Sequence, residues 1–176
     1  MINAKIVNLR FNQIVWKPVQ FLSGLTTYLL FTNPVQALTC VDLLVTPVSF
    51  GTYNPSSGSN LTSTGGVKIN KFFDCLFPSQ LIPTNFTIKL SAGNAGTYSP
   101  RKMNNPVNLL APLQYNLYTT GGVGAPIWGD GTGGSTVVSS NGSSNINIPI
   151  YGVVSSGQNP SIGSYSDSLT VTIEFN

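Results

Sequence analysis

From residue 38 onward the sequence repeats with a period of two, and that period restricts the fold to sheets. In Asn85-Phe86-Thr87-Ile88-Lys89-Leu90 the apolar side chains Phe86, Ile88 and Leu90 share one face and polar residues the other, the signature of a half-buried strand. Leu113, Tyr115 and Leu117 repeat the pattern, as do Ile146, Ile148 and Ile150. The last segment is the clearest, with Leu169, Val171, Ile173 and Phe175 alternating with Ser168, Thr170, Thr172 and Glu174. Stretches 41–50 and 66–77 are earlier candidates, the second with Val67, Ile69, Phe73 and Cys75 on one face. No segment carries a helical period. Connectors such as 54–60, 91–96 and 129–134 are rich in Gly, Asn, Ser and Pro, the residues that turns require. Short strands joined by such turns predict a single antiparallel β-sandwich.

Composition narrows the function. Only 7% of the residues are charged and there is no histidine, so neither a Ser-His-Asp nor a Cys-His arrangement can be assembled. The carboxylates beyond residue 37, namely Asp42, Asp74, Asp130, Asp167 and Glu174, stand singly, and nothing pairs them for acid–base work. Gly121-Gly122-Val123-Gly124 lacks the following Gly-Lys-Ser/Thr of a phosphate loop and reads as a turn. The formal charge of +3 comes from Lys5, Arg10 and Lys17 at the N-terminus; beyond residue 37 the five basic residues equal the five acidic ones, leaving no basic patch for nucleic acid. No enzyme activity and no cofactor are expected.

The first 37 residues have the order of an export signal: a positive region through Lys17, an apolar run over 21–31, and a small-residue exit at Val35-Gln36-Ala37. The apolar run is about half the roughly 20 residues that a membrane span needs. Residues 1–37 are therefore expected to be a cleaved signal peptide and 38–176 the exported domain. Cys40 and Cys75 are the only cysteines, and in an oxidising compartment such a pair is expected to bridge. Closing this loop stabilises a fold by roughly 3–4 kcal/mol on a chain-entropy basis. A metal site is not expected, because soft ligands are too few.

Eight short motifs occur in order: Cys40; Phe50-Gly51-Thr52-Tyr53; Cys75; Leu90-Ser91-Ala92-Gly93; Leu113-Gln114-Tyr115-Asn116-Leu117-Tyr118; Trp128-Gly129-Asp130-Gly131; Tyr151-Gly152; and Gly163-Ser164-Tyr165-Ser166-Asp167. Together they resemble the spore coat protein U domain of archaic, Csu-type chaperone–usher pili, over essentially all of 40–176. The resemblance implies an incomplete immunoglobulin-like sandwich that is held by a periplasmic chaperone and passed to an outer-membrane usher. An N-terminal extension of another pilus subunit then fills its groove, and the fibre serves adhesion and biofilm formation at the cell surface.

The alternation supports the same idea independently. The final strand is strongly apolar and runs almost to the end of the sequence, so its outer edge is expected to be completed by a strand from another chain, with Leu169, Val171, Ile173 and Phe175 lining the groove. Cleavage after Ala37 leaves only Leu38 and Thr39 before Cys40, too short for a donor strand, which places the subunit at a fibre tip. The apolar segment 72–83, with Phe72, Phe77, Leu81 and Ile82, is either extra core or an adhesive contact. The rival reading is a self-contained secreted binding module, lectin-like, using Gly-rich loops and Trp128 for a glycan, or a spore or cell-surface coat protein.

Overall fold

The computed structural model of the chain describes residues 2–16, 41–71, 85–141 and 145–175. Ten strands run through them: β1 (Ile2–Trp16), β2 (Val41–Thr46), β3 (Ser49–Tyr53), β4 (Leu61–Lys71), β5 (Asn85–Leu90), β6 (Arg101–Met103), β7 (Leu113–Tyr118), β8 (Val138–Asn141), β9 (Ile146–Val154) and β10 (Gly163–Phe175). They form two five-stranded sheets, ordered β3-β1-β10-β5-β8 and β2-β4-β9-β7-β6. The fold is an all-β, immunoglobulin-like sandwich, with no helix among the described residues.

The two sheets share one core because each contributes the apolar half of its alternation. Phe86, Ile88 and Leu90 come from one sheet and Leu113, Tyr115 and Leu117 from the other, all at most 2% exposed. The Phe50 ring of β3 meets the Tyr115 ring of β7 edge-on, with centroids 6.0 Å apart, a favoured aromatic geometry. Gly152 makes room for that ring: a Cβ there would lie 2.7 Å from Phe50 Cζ.

The stretch 41–50, expected as one strand, is two. Pro47 lacks an N–H for the ladder, so β2 ends at Thr46, having paired with β4, and the chain crosses to the opposite sheet. Val48, fully buried, plugs the crossing. Pro149 sits inside β9 opposite Gly66 of β4, at a position that β7, which pairs with β9 only over Tyr151, Gly152 and Val153, does not reach, and so the missing N–H is tolerated there as at a sheet edge.

One strand pair departs from the antiparallel plan. β1 lies parallel to β10, from Ile2 opposite Gly163 to Trp16 opposite Phe175, with irregularities between Ile6 and Leu9 and between Phe11 and Ile14. Every other pair of strands among the described residues is antiparallel.

Candidate functional site: the slot along the last strand

Each strand has two hydrogen-bonding edges, and those of β10 are served very differently. On one side it pairs with β5 of the folded body, Val171 opposite Leu90 through Phe175 opposite Phe86. A half-exposed ion pair between Lys89 Nζ and Glu174 Oε1 at 2.6 Å spans this seam; such a pair adds under about 1 kcal/mol. The other edge faces a slot. β3 lies across it, not paired with β10, and β1 occupies the gap, pairing antiparallel with β3 over Ile2 to Lys5 and parallel with β10 along its length. Without β1, both β3 and β10 would present bare backbone edges.

The candidate groove residues fall on this strand. Leu169, Val171 and Ile173 are at most 1% exposed, and each belongs to the core. Their burial stabilises the sandwich by roughly 1.5–3 kcal/mol apiece. Phe175 is placed by its backbone, opposite Phe86 and Trp16. Cys40 and Cys75, and the apolar candidates Phe72, Phe77, Leu81 and Ile82, lie outside the described residues.

Four of the other sequence motifs, Leu90–Gly93, Leu113–Tyr118, Trp128–Gly131 and Gly163–Asp167, converge on a buried polar knot beside the first half of β10. Arg101 is fully buried. Its Nη2 donates to the carbonyl oxygens of Ser91 at 3.1 Å and Trp128 at 2.6 Å, and Nε also donates to Ser91. The guanidinium carbon sits 5.0 Å from the Tyr98 ring centroid, a cation–π contact. Burial lowers the Arg101 pKa, an effect opposed by the nearby Tyr115, Tyr98, Asp167 and Asp130. Asp167, 2% exposed, accepts from Tyr115 Oη at 2.7 Å, from the Asn94 amide at 2.9 Å and from the Ser168 amide at 2.8 Å. Burial first, and the Asp167 carboxylate second, push the Tyr115 phenol well above its ordinary value.

The Trp128-Gly129-Asp130-Gly131 motif closes the knot. The Asp130 carboxylate accepts from the hydroxyl and amide of Thr132 at 2.6 and 2.9 Å, and the Thr132 hydroxyl is the first cause of its lowered pKa. Burial, then the hydrogen bond to Asp130, push the Tyr98 phenol up to about 12. Apart from Arg101 Nη1, which is buried without a hydrogen-bond partner, these polar groups bond to one another and to the backbone, so the motif is a structural lock. Among the described residues no group of three or more His, Cys, Asp and Glu could hold a metal ion.

One sequence reading needs correction, and two features were not read from the sequence. Trp128 cannot serve as a glycan platform: it is 0% exposed and its indole N–H donates to the Ile88 carbonyl at 3.1 Å. An apolar surface also lies where none was expected. Val107, Leu109 and Leu110 on the loop between β6 and β7, and Ile162 just before β10, are 66–95% exposed. The short run Val107-Asn108-Leu109-Leu110-Ala111-Pro112 has no alternation to mark it as a strand, which was the available signal. Arg101 was also missed; its only sequence trace is the alternation with Met103 in β6.

Among curated proteins, none matches the chain. Several solved structures are similar in shape. The chaperone–tip adhesion subunit complex CsuC–CsuE, from the archaic chaperone–usher Csu pili of Acinetobacter baumannii, has 18% identity and a TM-score of 0.45, covering 77% of this chain and 40% of that one. HdaB, the minor tip subunit of the E. coli Hda pilus, has 16% identity and a TM-score of 0.42, covering 77% and 84%. CfaE, the adhesive subunit of CFA/I fimbria of enterotoxigenic Escherichia coli, has 8% identity and a TM-score of 0.35, covering 70% and 43%. This chain thus spans less than half the length of the first and third. The Spore Coat Protein U domain model matches residues 26–172, which include every motif of the knot and most of β10, and the chain belongs to the Spore Coat Protein U domain family.

Proposed function

We propose that this chain is a non-enzymatic, adhesive subunit of an archaic chaperone–usher pilus, assembled by the addition of a strand from another chain. The observation that carries the reading is the slot: β10 is closed on one edge by the body of the domain and on the other only by residues 2–16, which belong to the segment read as an export leader. Removal of residues 1–37 takes β1 away and leaves the facing edges of β3 and β10 bare. An edge as apolar as β10 invites aggregation, and β-strand addition is the general remedy. A periplasmic chaperone supplies the strand first, an outer-membrane usher receives the complex, and another pilus subunit supplies it in the fibre.

Family membership and the order of the motifs support this reading. Cleavage after Ala37 leaves Leu38 and Thr39 before Cys40, too little to fill a neighbour's slot, so the subunit accepts a strand without donating one and stands at the tip. There it supports surface attachment and biofilm formation. A Cys40–Cys75 bridge fits the ladder beside it: Val41, next to Cys40, lies opposite Lys71, four positions before Cys75.

The test is to export residues 38–176 with and without the cognate chaperone, then add a synthetic strand with alternating apolar side chains. The expected outcome is soluble protein only with the chaperone or the strand. A stable soluble monomer without either would overturn the proposal.

A further inference from the structure

The loops at the Gly163 end of the slot are built in an unusual way. Their polar groups are spent internally: Asn105 Oδ1 accepts from the Val107 amide at 2.9 Å, Asn108 Oδ1 from the Leu110 amide at 3.2 Å, and Asn108 Nδ2 donates to Ser161 Oγ at 2.8 Å. The Ser161 carbonyl in turn accepts from the Tyr165 hydroxyl at 2.9 Å, tying the second loop to β10. The apolar side chains are left outside, with Val107 92%, Leu109 66%, Leu110 95% and Ile162 82% exposed. Neither 104–112 nor 155–163 contains a charged residue. A braced, uncharged loop pair that turns its leucines outward marks a contact surface.

We infer that this patch is the seat for the folded body of the subunit whose strand fills the slot, an inference that rests on the proposed strand addition. The patch and the slot are continuous, since Ile162 directly precedes Gly163, the first β10 residue of the slot, opposite Ile2. A donated N-terminal strand running antiparallel to β10, as every pair here except β1 with β10 runs, ends beside Gly163 and leads into its own domain there. That domain meets Val107, Leu109, Leu110 and Ile162 first. The absence of charge in both loops suits a partner face that is itself apolar and uncharged.

The experiment places a photo-crosslinking residue, p-benzoylphenylalanine, singly at Leu110, at Ile162 and, as a slot reporter, at Thr172, in fibres assembled on cells. Crosslinked peptides are identified by mass spectrometry. The expected result is that Thr172 captures the N-terminal segment of one subunit while Leu110 and Ile162 capture the folded domain of that same subunit. If Thr172 captures a strand but the patch positions capture nothing, or a different molecule, the seat is wrong and strand addition stands. If Thr172 captures no strand, both fail. As a second measurement, Leu110→Asp with Ile162→Asp, in surface positions, should leave thermal unfolding unchanged and weaken retention of the partner by roughly tenfold or more, the scale of losing buried aliphatic contacts. Unchanged retention would also overturn the seat.

Discussion

The Asp167 carboxylate occupies the space that a side chain at position 93 would need. A Cβ built on Gly93 collides with Asp167 Oδ2, and the residue has a φ of 76° besides, a region that L side chains rarely adopt. Asp167 cannot yield without breaking its bonds to Tyr115, Asn94 and Ser168. Gly96 provides the control, because it has a similar φ of 67° with nothing within 4 Å of a Cβ. Gly96→Ala should cost about 1 kcal/mol from backbone strain alone, and Gly93→Ala about 1–3 kcal/mol more from overpacking. Urea unfolding of the two variants checks the difference; equal losses would mean that Asp167 moves freely.

Arg101 holds together segments distant in the chain. Truncation to Ala leaves the carbonyls of Ser91 and Trp128 without this donor and opens a cavity, so Arg101→Ala should lower stability by about 3–5 kcal/mol. Its neighbour Lys102 faces the other way and is half-buried, and Lys102→Ala should change stability by about 0.5 kcal/mol or less. Calorimetry on both variants reads the contrast.

The buried Tyr115 phenol and the half-buried Tyr98 phenol predict an alkaline limit. Tyr98 and Tyr115 hold their protons more tightly in the folded chain than at the ordinary value of 10.0. Their contribution is therefore fully present below about pH 10 and is lost as the pH rises through the folded values, about 12 for Tyr98. Stability should fall steeply over this window. Tyr115→Phe should be less stable at neutral pH, having lost its bond to Asp167, yet show a shallower alkaline slope. An unchanged slope in chemical denaturation at several pH values would show that Tyr115 is not one of the groups responsible.

Cys40 and Cys75 lie outside the described residues, and the proposed bridge between them is tested chemically. Intact mass under non-reducing conditions should be two hydrogens lighter than the reduced protein. Replacing both Cys40 and Cys75 by Ser should cost roughly 3–4 kcal/mol. Two free thiols would refute the bridge.

How much of this could be read beforehand depends on where the information sits. Leu169, Val171 and Ile173 were legible because burial on one face is written as every second residue, and the same holds for Phe86, Ile88 and Leu90. The break at Pro47 was not, because apolar residues continue through it and only the sheet change separates β2 from β3. Arg101 was hidden because its partners are backbone carbonyls 10 and 27 positions away, which leave no mark in side-chain pattern. β1 was the least legible: its mixture of charged and apolar residues reads as the start of an export signal, and its parallel pairing with β10 exists only in three dimensions.

That pairing gives the last prediction. Successive amides of a strand point to alternate neighbours, so those of β10 divide between the β5 side and the slot side. In the full chain β1 lies along the slot side, and β5 engages the other side over Val171–Phe175. In a chain starting at Leu38, kept soluble by the chaperone and then released, alternate amides across 171–175 should exchange rapidly while those bonded to β5 stay protected. Adding a strand with alternating apolar residues should restore protection to the fast set only. Hydrogen exchange followed residue by residue by NMR distinguishes this from general loosening, in which both sets would speed up together. If the slot-side amides were equally protected with and without residues 1–37, β10 would have another partner, and the slot would not be the site where a foreign strand binds.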